Sequence, residues 1–250
     1  MVDFIKSLLN KAGIDIVRLN KQKKWPSDFE SFHRDVVAKV EPYTMTTQER
    51  IFGLVEAVEY IERYKIDGDV VECGVWKGGS MLAIAETLNR GNNHTRKLYL
   101  YDTFEGMSAP TEEDVSHDDL KAEKLLASDT NKDENLVWAY STLEQVKQTM
   151  ALSSYPQNQI LYIKGKVEDT IPKTLPAKIA LLRLDTDWYE STKHELIHLF
   201  PKLVSGGVLI IDDYGYWKGA RKAVDEYFKE NNVRILLNRM DETGRIAVKQ

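Results

Sequence analysis

The segments Leu181–Thr192 and Gly206–Tyr214 each run from apolar residues into carboxylates, Asp185 and Asp187 in the first and Asp212 and Asp213 in the second. If the two apolar runs are neighbouring parallel strands, three or four carboxylates meet at one edge of a sheet. Bare carboxylates repel one another, so such a cluster calls for a bound cation or a catalytic proton acceptor. Oxygen-only donors suit Mg²⁺ or Ca²⁺ better than zinc, and no cysteine cluster competes. Asp185, Asp212 and Asp213 therefore read as metal ligands. Coordination makes a hydroxyl more acidic, and a neighbouring carboxylate can then take its proton. Asp187 is the candidate for that base. The stretch Asp187-Trp188-Tyr189-Glu190 also has capping-box spacing, so base and helix cap both remain open, and one residue can serve as both.

A second constellation is Glu72-x-Gly74-x-x-x-Gly78-Gly79-Ser80, placed between an apolar strand and a helical pattern. Glycines there let the backbone turn tightly and approach a ligand, and the helix start offers free N–H groups. The spacing departs from the G-x-G-x-x-G of dinucleotide enzymes, which argues against a nicotinamide oxidoreductase. A carboxylate at Glu72 would repel pyrophosphate but suits a cationic, amino-bearing ligand such as S-adenosylmethionine. Asp102 ends the next strand, where α/β nucleotide sites put an acid on ribose hydroxyls; the alternative is a cap on the following turn. Asp169 can bond an adenine amino group or simply begin a turn. His194 and His198 stand one helical turn apart without a third ligand and read as surface or half-buried residues. His117 lies in a loop that could reach substrate, and Cys73 reads as a small core residue.

These residues need a scaffold. Thr46 to Glu49 has capping-box spacing, and Ile51, Leu54, Val55, Val58 and Ile61 follow at helical period, predicting a helix over about residues 47–65. Strands are expected at 69–73, 98–102, 160–164, 179–185 and 208–212, with helices from Met81 to about Asn89, over about 188–200 and over about 217–230. Val233–Leu237 and Arg245–Val248 read as a closing antiparallel pair. Alternating strands and helices mean an α/β fold with a parallel sheet covered on both faces. Residues 1–45 read as a helical and loop cap, and residues 46–250 as the main domain. The acid-rich stretch 106–135 interrupts the alternation and reads as a lid over the site or as a solvated loop.

The 250 residues are 42% hydrophobic and 29% charged, with net charge -5, as expected for one globular α/β domain with additions. Apart from Lys21, Lys23 and Lys24 there is no basic stretch, which argues against nucleic acid as a partner. No apolar run is long enough for a membrane span, and the N-terminus lacks signal-peptide character. A single cysteine fits a reducing cytoplasm.

Several motifs, in order, resemble a known family. They are Tyr43-Thr-Met, Glu72-x-Gly-Val-Trp-Lys-Gly-Gly-Ser, Tyr101-Asp-Thr-Phe-Glu-Gly-Met, Glu168-Asp-Thr-Ile-Pro, Leu182-Arg-Leu-Asp-Thr-Asp-Trp-Tyr-Glu-Ser-Thr and Ile211-Asp-Asp-Tyr. They look like the macrocin O-methyltransferase family, which includes sugar O-methyltransferases of macrolide and aminocoumarin antibiotic pathways, over about residues 43–230. The resemblance implies a Rossmann-like class I methyltransferase with a mainly parallel seven-stranded sheet, S-adenosyl-L-methionine as cofactor and Mg²⁺ at the site. It implies metal ligands at Asp185, Asp212 and Asp213 and a general base at Asp187. Its cofactor-binding segments contain Thr44, Glu72, Gly74, Val75, Gly79, Ser80, Asp102, Thr103, Phe104, Glu168, Asp169 and Asp185. The expected acceptor is a sugar hydroxyl, free, nucleotide-linked or on a glycosylated natural product, and the expected assembly is a homo-oligomer. Residues 106–135 and the segment before 43 are expected to shape the acceptor pocket. The rival readings are a catechol-like phenol as acceptor, or a non-catalytic nucleotide-binding module with Ca²⁺.

Overall fold

Five apolar segments form the parallel part of one sheet: β1 (Asp69–Cys73), β2 (Leu98–Asp102), β3 (Ile160–Lys164), β4 (Ile179–Leu184) and β5 (Leu203–Ile211). Two short strands, β6 (Asn238–Arg239) and β7 (Arg245–Val248), add antiparallel to its edge, giving the order β3-β2-β1-β4-β5-β7-β6. The structure, a computed structural model, describes residues 25–128 and 136–250. The basic stretch at Lys21, Lys23 and Lys24, most of the expected N-terminal cap and the end of the 106–135 insertion lie outside the described residues.

The described helices are α1 (Ser31–Val40), α2 (Gln48–Arg63), α3 (Gly79–Arg90), α4 (Ala122–Ser128), α5 (Leu143–Met150), α6 (Val167–Thr170), α7 (Tyr189–Leu199) and α8 (Lys218–Glu230). Alternate strand residues feed two cores, as the two-residue period of a strand requires. Val70, Leu98, Leu100, Leu181 and Ile210 meet α1, α2 and α3 on one face. Val71, Tyr101, Leu182, Leu184 and Ile211 meet α7 and α8 on the other. The predicted stripe Ile51, Leu54, Val55, Val58 and Ile61 is buried throughout. From the segment before residue 46, Phe29, Val36, Val37 and Val40 join this same core.

Two local expectations need correction. The α2 cap is Thr47, whose side chain accepts from the Arg50 N–H, and not Thr46. Thr46 instead pairs with the Thr44 hydroxyl at 3.0 Å. Val233–Leu237 forms no strand: Asn238–Arg239 pairs with β7. Its alternating residues Val233, Ile235 and Leu237 are half-buried against the second core, so the pattern records packing without a ladder.

The insertion is built into the fold in its described part. Val115 bridges to Lys121 and Ser116 to Trp217, and α4 follows. Trp188, Trp217, Ala122, Leu126 and Ala220 make a small third core beneath it.

The sheet changes direction of growth between β1 and β4. Ligands bind at such a switch point, outside the carboxyl ends of the strands. Here the two strand ends touch backbone to backbone. Asp185 N–H donates to the Cys73 carbonyl at 2.8 Å, and on the other side of β1 the Gly74 N–H donates to the Tyr101 carbonyl of β2 at 2.9 Å. Gly74 has φ +81°, and a Cβ there would collide with the Asp185 carbonyl. Gly74→Ala adds left-handed strain of about 1–2 kcal/mol to that collision. We therefore expect it to destabilise the chain by more than about 2 kcal/mol in urea unfolding. A wild-type midpoint would contradict the close approach.

Candidate active site

Two cavities open at the switch point. The larger, about 330 Å³, lies between the first turn of α3, the acids after β4 and β5, and the insertion. The smaller, about 60 Å³, lies between the end of β2, Gly106 and the start of α6. Ala139 lines both. Left-handed backbone at Trp76, Phe104, Ala139 and Asp187 clusters around them. Strained residues of this kind persist where the surrounding structure over-determines them, and they gather at functional sites.

The residues expected on the cofactor side distribute unevenly. Gly74, Asp102, Thr103 and Glu168 line the smaller cavity, while Thr44, Val75, Gly79 and Ser80 line the larger. Gly79 is needed for packing, since a Cβ there would lie 2.5 Å from the Tyr43 carbonyl oxygen and 2.8 Å from the Thr44 Cβ. Asp102 stitches the two turns together. Its carboxylate accepts from the N–H groups of Val75 at 2.6 Å, Trp76 at 3.1 Å and Phe104 at 2.6 Å. Burial raises its pKa and those N–H groups oppose the rise. Asp102 thus caps the following turn, as the second of its two readings has it, and it also borders the smaller cavity. Phe104 is buried beside it and lines neither cavity. Asp169 is exposed and lines neither, so only its neighbour Glu168 faces the site.

Glu72 also lines neither cavity. It is 1% exposed, and its Oε1 accepts from Arg183 Nη1 at 2.6 Å. Burial pushes it up to about 7 despite the guanidinium. The same Arg183 Nη1 donates to Asp185 at 2.7 Å, and Nη2 donates to Asp212 at 2.7 Å. Arg50, from α2, closes on the other oxygen of Asp212 and forms an ion pair with Asp241, with Nε 2.9 Å from its Oδ2. Asp212 therefore sits between two guanidinium groups.

The three carboxylates that converge are Asp185, Asp187 and Asp213, with an oxygen of each within 4.8 Å of the others. Asp187, expected as base or cap, stands in this group in place of Asp212. Burial pushes Asp185 and Asp213 well above the usual carboxylate range, with the facing acids adding to the rise and Arg183 opposing it at Asp185. Burial also lifts Asp187 to about 7, against hydrogen bonds to Asp213 and Trp217. The Asp213 Oδ2 atom is buried without a partner. Three converging oxygen donors, one of them unpaired, fit a hard divalent cation.

The cap reading of Asp187 is overturned. Asp187 has φ +68°, and the N-cap position of α7 is Trp188. The first N–H of α7, on Tyr189, is taken by Asp114 from the insertion at 2.8 Å. Nothing in the periodic pattern marks Asp114; only the spacing Thr111-x-x-Asp114 hints at a side chain that folds back on its own turn. Arg50, Arg183 and Trp217 carry no sequence signal of their own, because a single cation or indole has no distinctive spacing. His117 pairs with Asp118 and leans on Tyr216, and lines neither cavity. The rings of His194 and His198 stand 4.4 Å apart.

The profile of the macrocin O-methyltransferase (TylF) family matches residues 8–248. The chain belongs to this family. It is 32% identical over 202 residues to the 8-demethyl-8-(2,3-dimethoxy-alpha-L-rhamnosyl)-tetracenomycin-C 4'-O-methyltransferase of Streptomyces olivaceus, covering 81% of this chain and 74% of that protein. It is 28% identical over 225 residues to the demethyldecarbamoylnovobiocin O-methyltransferase of Streptomyces niveus, covering 90% of this chain and 78% of that protein. The structure of the O-methyltransferase NovP superposes with TM-score 0.71 at 30% identity, covering 83% of this chain and 82% of NovP. This macrocin O-methyltransferase relative is thus an enzyme with a class I methyltransferase fold, which sets aside the non-catalytic module. No helix among the described residues is long and apolar enough to cross a membrane.

Arg183 is the shared counter-ion of three acids, and it is 3% exposed. Arg183→Met leaves Glu72, Asp185 and Asp212 without it, at an expected cost of about 3–5 kcal/mol. Burial holds Glu72 and Asp185 above their unfolded pKa values even with Arg183 opposing it, so their stability contribution is present at low pH and is lost as pH rises, the more so without the guanidinium. The deficit should be smaller at about pH 5 than at about pH 8 in paired urea titrations. An equal deficit at both would separate Arg183 from the charge balance.

Proposed function

We propose that the enzyme transfers a methyl group from S-adenosyl-L-methionine to a sugar hydroxyl with Mg²⁺ assistance. The observation that carries this reading is the opening of Asp185, Asp187 and Asp213 onto the larger cavity, beside the glycine turn. The tetracenomycin relative is named for a rhamnosyl compound, which supports a sugar acceptor. S-Adenosylmethionine supplies an electrophilic methyl group on its sulfonium. Residues Gly74, Asp102, Thr103 and Glu168 would hold its nucleoside end in the smaller cavity, with Ser80 and Thr44 toward the larger one. The Asp102 carboxylate meets three backbone N–H groups and, at 3.5 Å, the Thr103 hydroxyl, and a ribose hydroxyl would take the place of this longest contact.

Asp185 and Asp213 would hold Mg²⁺, with Asp212 as a further ligand where the metal takes the place of Arg50 as its cation. A divalent ion there supplies Lewis acidity, which makes an acceptor hydroxyl easier to deprotonate. Asp187 would accept the proton, since its carboxylate lines the same cavity beside the two proposed ligands. The aromatic rings of Trp76, Tyr216 and Trp217 line the same cavity and offer apolar faces to a sugar ring. Holding hydroxyl and methyl donor in line supplies much of the remaining acceleration. Cys73 is a buried free thiol, which supports action in the reducing cytoplasm.

Asp187→Asn should lower kcat by about 10²–10⁴-fold while calorimetry shows unchanged cofactor binding. Near-wild-type turnover would remove Asp187 as the base. A screen of sugar diols and catechols with labelled cofactor, with EDTA and with restored Mg²⁺, tests the rest. Label on sugars that EDTA abolishes and Mg²⁺ restores is expected. Label on catechols alone would replace the sugar reading with the phenol one.

A further inference from the structure

The candidate base sits on a three-residue turn that its own sequence does not favour. Asp185, Thr186 and Asp187 leave β4, Asp187 takes a left-handed backbone, and the Trp188 N–H closes back on the Thr186 carbonyl at 2.8 Å. On the β1 side the turn is fixed by Asp185 N–H to Cys73. On the far side the Thr186 hydroxyl donates to Glu195 of α7 at 2.9 Å, and the two residues that follow the turn, Trp188 and Tyr189, meet the insertion. The Asp114 Oδ1 accepts from the Tyr189 N–H at 2.8 Å, and its Oδ2 accepts from Thr111 N–H at 2.6 Å and the Thr111 hydroxyl at 3.0 Å. The Trp188 indole N–H donates to the Ser108 carbonyl at 3.0 Å. Asp114 is 1% exposed, although it stands in an acid-rich stretch that is otherwise largely exposed.

The surroundings are shaped to admit this carboxylate. Gly219, in the first turn of α8, is the residue against Asp114 Oδ1; a Cβ there would collide with it. The carboxylate also occupies the N-terminal end of α7, where a negative charge is favoured by the unpaired N–H groups and the helix dipole. An acid brought from elsewhere in the chain thus takes the capping place that Asp187 leaves when its side chain turns to Asp213 and Trp217. With the Tyr189 N–H met by Asp114, α7 draws no cap from Asp187, whose side chain is left to the site.

We propose that Asp114 is a positioning residue for Asp187: by capping α7 from the insertion, it holds the Asp187 carboxylate toward the larger cavity. This rests on the reading of Asp187 as the base. It also gives the described part of the insertion a role in the chemical step in addition to walling the acceptor cavity through Leu125.

The test is a kinetic cycle on the full chain. Asp114→Ala should lower kcat by about 10²-fold, the usual effect of an ångström-scale misplacement, while acceptor KM and cofactor Kd stay close to wild type. In an Asp187→Asn background the same change should cost nothing further, because both act on one proton transfer. Hydrogen exchange at the Tyr189 amide should quicken. If Asp114→Ala folds poorly, Gly219→Ala displaces the carboxylate without removing it and should show the same kcat loss. A mere brace for the cavity wall would instead raise KM and leave kcat alone. Full kcat in Asp114→Ala or Gly219→Ala, or additive losses in the double variant, would overturn the proposal. An active Asp187→Asn enzyme would instead overturn the base assignment on which it rests.

Discussion

Burying several carboxylates at one sheet edge is the constraint around which this structure is arranged. Isolated buried charges are too costly to keep, so each acid must be paired, hydrogen-bonded or protonated. Arg183 resolves most of the problem from within β4, reaching Glu72 on β1, Asp185 at its own strand end and Asp212 after β5. Arg50 reaches over from α2 to Asp212 and Asp241. What the guanidinium groups leave over is Asp187 and Asp213, which converge with Asp185 and include one unpartnered oxygen. The residual negative charge is confined to the cavity, where a cation or a proton can meet it. Glu72 illustrates the same logic from the cofactor side, since its charge is spent on Arg183 behind the glycine turn and it does not face the ligand space.

Much of the scaffold was legible because its signals are local. β3 has the predicted bounds, and the stripe from Ile51 to Ile61 needs only the helical period to be recognised. The acids after β4 and β5 were legible as a cluster, because apolar runs ending in Asp leave little doubt where the strands stop. What stayed hidden depends on contacts distant in sequence. The division of labour among the acids is set by two arginines, one 133 positions before the other, and no spacing rule links them. The cap of α7 comes from a carboxylate about 75 positions upstream. Val233–Leu237 shows the opposite failure: alternation announced a strand, yet the residues pack and the backbone finds no partner, because side-chain period and hydrogen-bonded ladder are separate facts.

Family membership and geometry support each other at different grain. The match to the macrocin O-methyltransferase family covers almost the whole chain, including the insertion and the segment before residue 43. The geometry adds how those two regions attach. The insertion shares a small aromatic core with Trp188 and Trp217 and ties into both flanks of the acid edge. The insertion and the acid edge are therefore parts of one packed unit.

The contact between Gly79 and the Tyr43–Thr44 backbone carries this furthest. The leading segment does not hang on the domain like an exchangeable module, because its carbonyl rests where a side chain on α3 would be. Recombining that segment with the body of a relative would succeed only where the two surfaces were inherited together. Change at this end of the chain is thereby tied to the histories of two elements at once, because a side chain gained on α3 at Gly79 would displace the backbone of the other.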